Sequence, residues 1–362
     1  MDTGPDQETP EAPPAPRRRR WWRWPVRVLG GLLALVLGVI VWFQFSAWPG
    51  AMLIRHSGAF GGGGADPIAQ YVPDDITRLI DVVYDDSGPD GRLDVFYPEP
   101  AQEPLPTVVW VHGGGFVAGT KEGLTEYLSV LASHGYTIAS IEYTKAPEGT
   151  YPTPVLQVSD ALSFLVANAD EYRIDPDQIV LAGDSAGGHI AAQTAMTIAE
   201  PDYAAAAGLP SALPAESLRG TILCSAATDP RLADTANPTW GFFLRTVLWA
   251  YSGEKDFQHS DAFRWATLPE HVTEAFPPSF ITTGPYDPLL AHSEVMVEAL
   301  QDQGVEVDTL FFDAETTDAS IGHEYQMDLS TPEARTAMER MVGLLREVTQ
   351  TPLVLEGVSD TW

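Results

Sequence analysis

The sequence predicts an α/β protein built on a mostly parallel sheet with helices on both faces. From about residue 68 onward, short apolar runs alternate with longer segments of helical spacing. Strands that alternate with helices in this way form βαβ units, in which the strands run parallel. The chain has 362 residues, of which 44% are hydrophobic, so it can bury a large core. We expect a single folded domain over residues 68–350, followed by a tail at 351–362.

The expected elements begin with a hairpin, TRLIDVVYDDSGPDGRLDVFYP, whose two alternating runs flank a Gly-Pro-Asp-Gly turn. Further strands are expected at TVVWVH, YTIASIEY, QIVLAGD, GTILCSA, SFITTG and VDTLFF. Helices are expected at VLQVSDALSFLVANADEY, AGGHIAAQTAMTIAE, AHSEVMVEALQDQG and TPEARTAMERMVGLLREVTQ. Ligands bind beyond the carboxyl ends of the strands in such sheets. A glycine run at 113–115, Ser185 and Asp287 all fall at that edge.

Residues 226–278 lack strand signals and are rich in aromatic side chains. A structureless loop of this length is improbable in a compact domain. We therefore expect a helical, cap-like insertion that packs over the site, although any single aromatic there is more often a core residue.

The residues before the domain fall into three segments. Residues 1–27 form an arm rich in proline and acid that ends in RRRRWWRWPVR, and we expect it to be disordered. Residues 28–48, VLGGLLALVLGVIVWFQFSAW, contain no charge. At ~1.5 Å per residue, a helix over this stretch spans about 30 Å, the thickness of a bilayer core. Residues 49–67, which include FGGGGAD, are predicted to be a flexible linker.

The apolar stretch is interpreted as a transmembrane signal anchor. Arginines on its N-terminal side favour a cytoplasmic N-terminus, which places the domain outside the cell membrane after a single pass. The alternative is a cleaved signal peptide, whose apolar core normally measures ~7–15 residues and is shorter than this one. A chain beginning near Asp66 is then expected to be soluble.

The charge of the chain excludes one class of partner. The formal net charge is −30, and the part beyond residue 27 is more acidic still, because the first 27 residues hold six arginines and four acids. Such a surface repels phosphate backbones, so nucleic acid is not an expected partner. Cys224 is the only cysteine, which excludes an intramolecular disulfide.

The stretch VLAGDSAGGHIAAQ carries one serine between two glycines where a strand becomes a helix. Gly183, Ser185 and Gly187 match the nucleophile elbow, in which a sharp turn exposes a serine hydroxyl and the glycines let flanking backbones pass closely. The alternative is a glycine-rich loop whose serine caps the next helix.

A serine nucleophile needs a base and an acid that orients the base, and with this elbow the order along the chain is serine, acid, histidine. Among eight histidines, His323 in DASIGHEY follows the last expected strand, where a loop can hang over Ser185. The alternative is an ordinary surface-loop histidine. His189 lies one helical turn beyond the serine, and His292 lies within an expected helix. Because the base must be neutral, we expect activity to rise with pH through about 7.

The acid is assigned to Asp287, which follows a strand end directly and precedes a proline. A carboxylate there can fix the tautomer of the imidazole and stabilise its protonated form. Asp313, Glu315 and Asp318 are rivals for this role.

An acyl-transfer site also needs backbone N–H donors for an oxyanion. WVHGGGFVAGT supplies glycines at 113–115 whose lack of side chains leaves room for a carbonyl oxygen. The N–H of Ala186, at the start of the elbow helix, adds a donor and a favourable helix dipole. The same run loosely fits a dinucleotide fingerprint, but that interpretation explains neither His112 nor the second glycine cluster.

HGGGF followed about 70 residues later by GDSAGG resembles the hormone-sensitive-lipase-like branch of the α/β-hydrolases. This branch contains bacterial carboxylesterases and membrane-anchored arylacetamide deacetylases. The resemblance covers about residues 80–348 and includes EYTKAPEGTYPTPVLQVSDALSFL and the DPL at Asp287. It implies an α/β-hydrolase fold with a helical cap. It also assigns roles by motif: the nucleophile, acid and base are Ser185, Asp287 and His323; the oxyanion donors are Gly114, Gly115 and Ala186; the supporting motif residues are His112, Gly113, Gly183, Asp184 and Gly187.

The expected function is that of a membrane-anchored serine hydrolase acting on a small carboxylic ester. The resemblance implies short-chain or aryl esters and requires neither a metal nor an organic cofactor. Two alternatives stay open. One is a deacetylase of acetylated sugars or small amides on the same fold, and the other is a hydrolase-fold binding protein without turnover. The oligomeric state is left open.

Overall fold

The computed structural model describes residues 23–58 and 67–349. The expected disordered arm up to residue 22, the glycine joint at 61–64 and the tail from 351 lie outside the described residues. The helices are α1 Arg23–Phe45, α2 Trp48–Arg55, α3 Thr125–Ala132, α4 Thr153–Ala167, α5 Ala169–Tyr172, α6 Ser185–Ala199, α7 Pro201–Ala207, α8 Gly241–Ser252, α9 Leu290–Asp302 and α10 Pro332–Thr349. The strands are β1 Ile76–Val83, β2 Arg92–Pro98, β3 Leu105–Val111, β4 Thr137–Ile141, β5 Ile174–Asp184, β6 Leu218–Cys224, β7 Ser279–Thr283 and β8 Val307–Phe311.

The chain divides into two units, residues 1–46 and 47–362. In the first unit, α1 is long and apolar enough to cross a membrane: Trp24–Phe45 has a mean hydropathy of 2.4 over its most apolar window. The expected span, 28–48, is therefore shifted toward the N-terminus. Helix α1 ends at Phe45 because Pro49 follows, and a proline inside a helix clashes with the carbonyl four residues earlier. The same proline is tolerated in the first turn of α2.

The second unit is built on one eight-stranded sheet with the order β1-β2-β4-β3-β5-β6-β7-β8. Strands β1 and β2 form the expected antiparallel hairpin, and β2 also pairs antiparallel with β4. Every other neighbouring pair in this order is parallel. The predicted α/β class with a mostly parallel sheet is confirmed. Its parallel strands β3, β5 and β7 all end at the edge where the glycine run, Ser185 and Asp287 follow.

Both faces of the sheet are covered, as the alternation along β3 shows. Val109 and Val111 belong to one apolar core and Val108 and Trp110 to the other. Helices α4, α6 and α9 contribute to the first core, whereas α3 and α10 contribute to the second. Side chains that alternate along a strand point to opposite faces, so a parallel sheet buried on both sides reads as a nearly continuous apolar run.

Helix α2 occupies part of the segment that the sequence predicts to be a linker. Its Ala51 and Ile54 are buried in the core. Gly50 approaches α8 so closely that a Cβ atom there would lie 2.7 Å from Cγ2 of Thr246. Arg55 donates from Nε to the carbonyl of Val117 at 2.7 Å and forms an ion pair with Glu148 at 2.8 Å. The linker prediction is therefore wrong for residues 49–55, because the apolar side chains of α2 are buried only when the helix packs on the domain.

The segment at 226–278 contains α8 and several short turns of 3₁₀-helix. Tyr251 of α8 stacks on Phe116, which follows the glycine run, with ring centroids 3.9 Å apart. Phe257 and Phe263 are buried beside it. The aromatic side chains thus pack this segment against the loop that carries the glycines.

Candidate active site

The turn between β5 and α6 holds Ser185 in a strained conformation. Strand β5 ends at Asp184, and α6 begins at Ser185, whose φ is +51°. A Cβ atom at Gly183 would lie 2.6 Å from the carbonyl group of Gly187. One at Gly187 would lie 2.1 Å from the carbonyl oxygen of Val111. Both glycines are thus required by close backbone approach, and a non-glycine residue in the left-handed region is typical of functional sites.

The side chains of Ser185, His323 and Asp287 form one continuous chain of hydrogen bonds. The Nε2 atom of His323 lies 3.0 Å from Oγ of Ser185. Its Nδ1 atom lies 3.0 Å from each carboxylate oxygen of Asp287. A carboxylate oxygen can only accept, so in the neutral ring Nδ1 carries the hydrogen and Nε2 can accept from the serine hydroxyl. This arrangement raises the nucleophilicity of a serine. The alternative role of Ser185 as a helix cap would require neither the histidine nor the acid.

Two loops bring the histidine and the acid to the serine. Asp287 lies between β7 and α9 and also accepts from the backbone N–H of Leu289 at 2.7 Å, which fixes its carboxylate. His323 lies in the loop between β8 and α10. The rival acids Asp313, Glu315 and Asp318 are exposed in that loop.

The competing histidines in the elbow helix and in α9 contact other groups. Nδ1 of His189 lies 3.0 Å from the carbonyl of Ala227. His292 accepts from the backbone N–H of Asp229 at 3.2 Å. Burial lowers the pKa of both imidazoles to about 4. Neutral, buried and bonded to backbone, they are suited to packing and not to proton transfer with Ser185.

The glycine run lies beside the serine, but its three N–H groups are not equivalent. Gly113 donates to Oδ2 of Asp184 at 2.7 Å. This bond leaves Gly114 and Gly115, with φ of +113° and +60°, as the candidate donors of the loop. The N–H of Ala186 joins them, because the first turn of a helix leaves its N–H groups without intrahelical acceptors. These are the three oxyanion donors that the sequence predicts.

A buried polar network braces the glycine run from behind. Nδ1 of His112 lies 2.7 Å from the carbonyl oxygen of Gly113, and its ring stacks on Tyr143 with centroids 4.4 Å apart. Its Nε2 atom lies 3.3 Å from Oε1 of Glu142. Burial raises the pKa of Glu142, but the bonds from His112 and Lys145 outweigh it and lower that pKa to about 2. The predicted supporting position of His112 agrees with these contacts.

Asp184, the residue before the elbow serine, accepts hydrogen bonds both from β3 and from the glycine run. Its Oδ1 atom accepts from Nε1 of Trp110 at 2.7 Å, and its Oδ2 atom accepts from Gly113. Burial, followed by the charge of Glu324, raises the pKa of Asp184 to about 7. Glu324 is a site residue that the sequence interpretation missed, although an acid adjacent to the expected base is a signal that could have indicated it.

The groups around His323 change the pH at which we expect activity to rise. Burial lowers its pKa, but the hydrogen bond to Asp287 and the charges of Glu324, Asp287 and Asp184 outweigh burial and raise the pKa to about 9. The expected rise of activity through about 7 is therefore replaced by a rise through about 9, since the imidazole must be neutral to accept a proton.

An apolar cavity of about 40 Å³ opens beside Ser185. Its lining includes Phe116, Phe243, Val247 and Tyr251. Phe243 packs directly against the glycine run, since a Cβ atom at Gly115 would lie 2.7 Å from the Cζ atom of Phe243. The cavity is therefore an apolar space of the size of a few methyl groups, and it adjoins both the candidate nucleophile and the candidate oxyanion donors.

Comparison with known proteins gives relatives that are named as esterases. The chain is 40% identical over 114 residues to a probable isoprenylcysteine alpha-carbonyl methylesterase of Oryza sativa subsp. japonica, covering 32% of this chain and 27% of the relative. It is 28% identical over 212 residues to an acetyl esterase of Salmonella choleraesuis, covering 57% and 62%. The chain thus spans less than two thirds of the length of these relatives.

The fold has close counterparts among solved structures. Esterase B of Lactobacillus rhamnosus superimposes with a TM-score of 0.68 at 21% identity, covering 77% of this chain and 88% of that protein. A family model described as the alpha/beta hydrolase fold matches residues 108–318, a range that holds Ser185 and Asp287 and ends five residues before His323. The resemblance that the two glycine motifs indicate is confirmed by this match, and the chain belongs to the alpha/beta hydrolase fold family.

Proposed function

We propose that this protein is a membrane-anchored serine hydrolase that cleaves small carboxylic esters through an acyl-enzyme. The observation that supports the activity is the hydrogen-bonded chain from Ser185 through His323 to Asp287, with both links at 3.0 Å. The acetyl esterase and methylesterase names of the relatives point to the same reaction class.

The proposed reaction uses the described groups in two half-reactions. Oγ of Ser185 bonds to the carbonyl carbon while Nε2 of His323 takes the hydroxyl proton. The carbonyl oxygen becomes an oxyanion and accepts from the N–H groups of Gly114, Gly115 and Ala186. When the bond to the alcohol breaks, the imidazolium returns its proton to the leaving oxygen. His323 then takes a proton from water as the water oxygen bonds to the acyl carbon; the bond from that carbon to Oγ of Ser185 breaks, the imidazolium returns the proton to Oγ, and the carboxylic acid leaves.

The cavity supports a short acyl group. Its volume of about 40 Å³ accommodates an acetyl or propionyl chain and is too small for a long one. Its walls are aliphatic and aromatic, which suits an acyl chain without polar groups.

Replacing Phe243 with alanine should move the substrate preference toward longer acyl chains. Wild-type kcat/KM, measured on nitrophenyl esters of increasing acyl length, should be highest for acetate to butyrate. Phe243→Ala should raise relative kcat/KM for octanoate about tenfold, because each added methylene in an apolar pocket changes binding by ~1–3 kcal/mol.

Phe242→Ala is the matched control for this measurement, because Phe242 is 47% exposed on the same helix and should leave the preference unchanged. An identical profile for Phe243→Ala and wild type would contradict the assignment of this cavity to the acyl chain.

The anchor is proposed from α1. Five arginines between positions 17 and 23 precede its apolar span, Trp24–Phe45, and a sixth, Arg27, lies in the first turn of that span. This asymmetry favours a cytoplasmic N-terminus and a hydrolase unit on the outer side. The bilayer is thus the proposed partner of the first unit.

The full-length protein should stay in membranes during carbonate extraction, and protease added to intact cells should reach the hydrolase unit. A chain beginning at Ala47 should be soluble and active, because it keeps α2. A chain beginning at Asp66 lacks α2 and should be markedly less stable. Loss of a buried isoleucine side chain such as Ile54 by itself lowers the free energy of unfolding by ~2–5 kcal/mol. Release of the full-length protein by carbonate would contradict the anchor, and a mature N-terminus after Ala47 would indicate a cleaved signal.

A further inference from the structure

Glu324 faces the imidazole of His323 from the side opposite Asp287. Its Oε1 atom lies 3.6 Å from Nε2, the same nitrogen that lies 3.0 Å from Oγ of Ser185. Asp287 contacts the other nitrogen, Nδ1. The two ring nitrogens therefore each have a carboxyl group nearby, and the one at Nε2 adjoins the site of proton transfer.

The backbone holds Glu324 in this place by an uncommon conformation. Its φ and ψ are +57° and +32°, in the left-handed region that a non-glycine residue rarely occupies. Its N–H donates to Oγ of Ser225 at 3.3 Å, and Ser225 itself has a φ of +50°. Strained residues of this kind persist only where the surrounding structure determines them. The turn thus directs the side chain of Glu324 toward the site.

The carboxyl groups of Glu324 and Asp184 both lie beside Gly113, where the absence of a side chain leaves room for them. A Cβ atom at Gly113 would lie 2.4 Å from Oδ2 of Asp184 and 2.7 Å from Oε1 of Glu324. Two carboxyl groups this close do not both ionise readily. Asp184 is buried, and burial together with Glu324 raises its pKa to about 7, whereas the side chain of Glu324 is 31% exposed. Ionisation is therefore disfavoured at the buried Asp184, whereas the carboxyl group of Glu324 reaches solvent.

We propose that Glu324 is a positioning residue of the hydrolase, a second carboxylate that stabilises the imidazolium of His323 and sets the pH range of the reaction. This inference rests on the proposed function. Glu324 takes no proton itself: the proton of Ser185 moves to Nε2 and from there to the leaving alcohol. Its charge acts on the imidazolium that exists between these two transfers.

The direction of the pH effect follows from the groups that face the imidazole. Asp287 and Glu324 favour the charged ring, and so does Asp184 once the pH exceeds its own pKa of about 7, whereas burial and the first turn of α6 at Ser185 oppose it. The ring acts as a base only when neutral, so activity rises as the pH passes its pKa. Removing the charge of Glu324 lowers that pKa and moves the rise to lower pH.

The test is the pH dependence of kcat/KM for nitrophenyl acetate between pH 5.5 and 10, with the spontaneous hydrolysis subtracted. In the full-length protein, Glu324→Gln should move the rising limb about one pH unit lower, because an opposite charge within this distance shifts a pKa by ~1–3 units before solvent screening. Its relative activity at pH 6 should therefore rise several-fold. Glu324→Asp, which keeps the charge, should return the limb toward the wild-type position.

Glu315→Gln is the matched control, since Glu315 is an exposed acid in the same loop and its loss should leave the limb in place. A limb that stays unmoved in Glu324→Gln, with or without a uniform loss of activity, would overturn the inference. If Glu324→Gln does not fold, Glu324→Ala and direct NMR titration of His323 provide the same comparison. A wild-type protein that neither cleaves esters nor reacts with a fluorophosphonate would instead contradict the proposed function.

Discussion

Ser185→Ala should abolish ester hydrolysis and leave the hydrolase unit folded. The substitution removes the hydroxyl oxygen that is proposed to bond to the carbonyl carbon, and it leaves the N–H groups of the glycine run and Ala186 in place. Loss of the nucleophile in a triad removes most of the catalysis, and we expect kcat to fall at least ~10⁴-fold with KM little changed. Steady-state kinetics on nitrophenyl acetate and thermal unfolding of the same sample measure the two effects.

Ser159→Ala is a suitable control for this experiment. Ser159 is a buried serine of α4 whose hydroxyl donates to the carbonyl of Val155 at 3.1 Å, so its loss should affect stability slightly and activity not at all. A fluorophosphonate should label wild type and Ser159→Ala but not Ser185→Ala. Near-normal turnover by Ser185→Ala, or labelling at another residue, would show that the elbow serine is not the nucleophile.

Asp287→Asn should reduce kcat up to ~10⁴-fold, the loss known for the corresponding change in the best-studied triad. The carboxylate receives the hydrogen of Nδ1 at 3.0 Å and holds Nε2 free to accept from Ser185. An asparagine amide turned toward Nδ1 donates instead, which favours the tautomer with hydrogen on Nε2. That tautomer cannot take the serine proton.

The comparison for Asp287→Asn is Asp318→Asn. Asp318 is exposed and accepts only a local bond from the N–H of Ser320 at 2.8 Å, so its change should leave kcat unaltered. Fluorophosphonate labelling of Asp287→Asn should be slowed by a similar factor to ester hydrolysis, because both reactions need the base. Wild-type kinetics in Asp287→Asn would transfer the role of the acid to a different residue.

Local sequence pattern was enough to predict most of the fold and the chemically central residues. The elbow depends on glycines two before and two after Ser185, and the oxyanion loop depends on glycines after β3. The close approaches of Gly183 to Gly187 and of Gly114 to Ala118 are local, whereas Gly187 lies against Val111, and the sequence indicates that glycine only through its motif. The alternation of strands and helices is also local, since it follows from which faces each segment must bury.

Other features depended on contacts between residues distant in sequence. Helix α2 is part of the domain because Gly50 fits against Thr246 and Arg55 reaches Val117, which no pattern within 49–67 indicates. The raised pKa values of His323 and Asp184 arise where three loops bring carboxyl groups together. Charge interactions and burial depend on distance in space, so only the tertiary structure decided the placement of Glu324 beside His323 and the volume of the cavity beside Ser185.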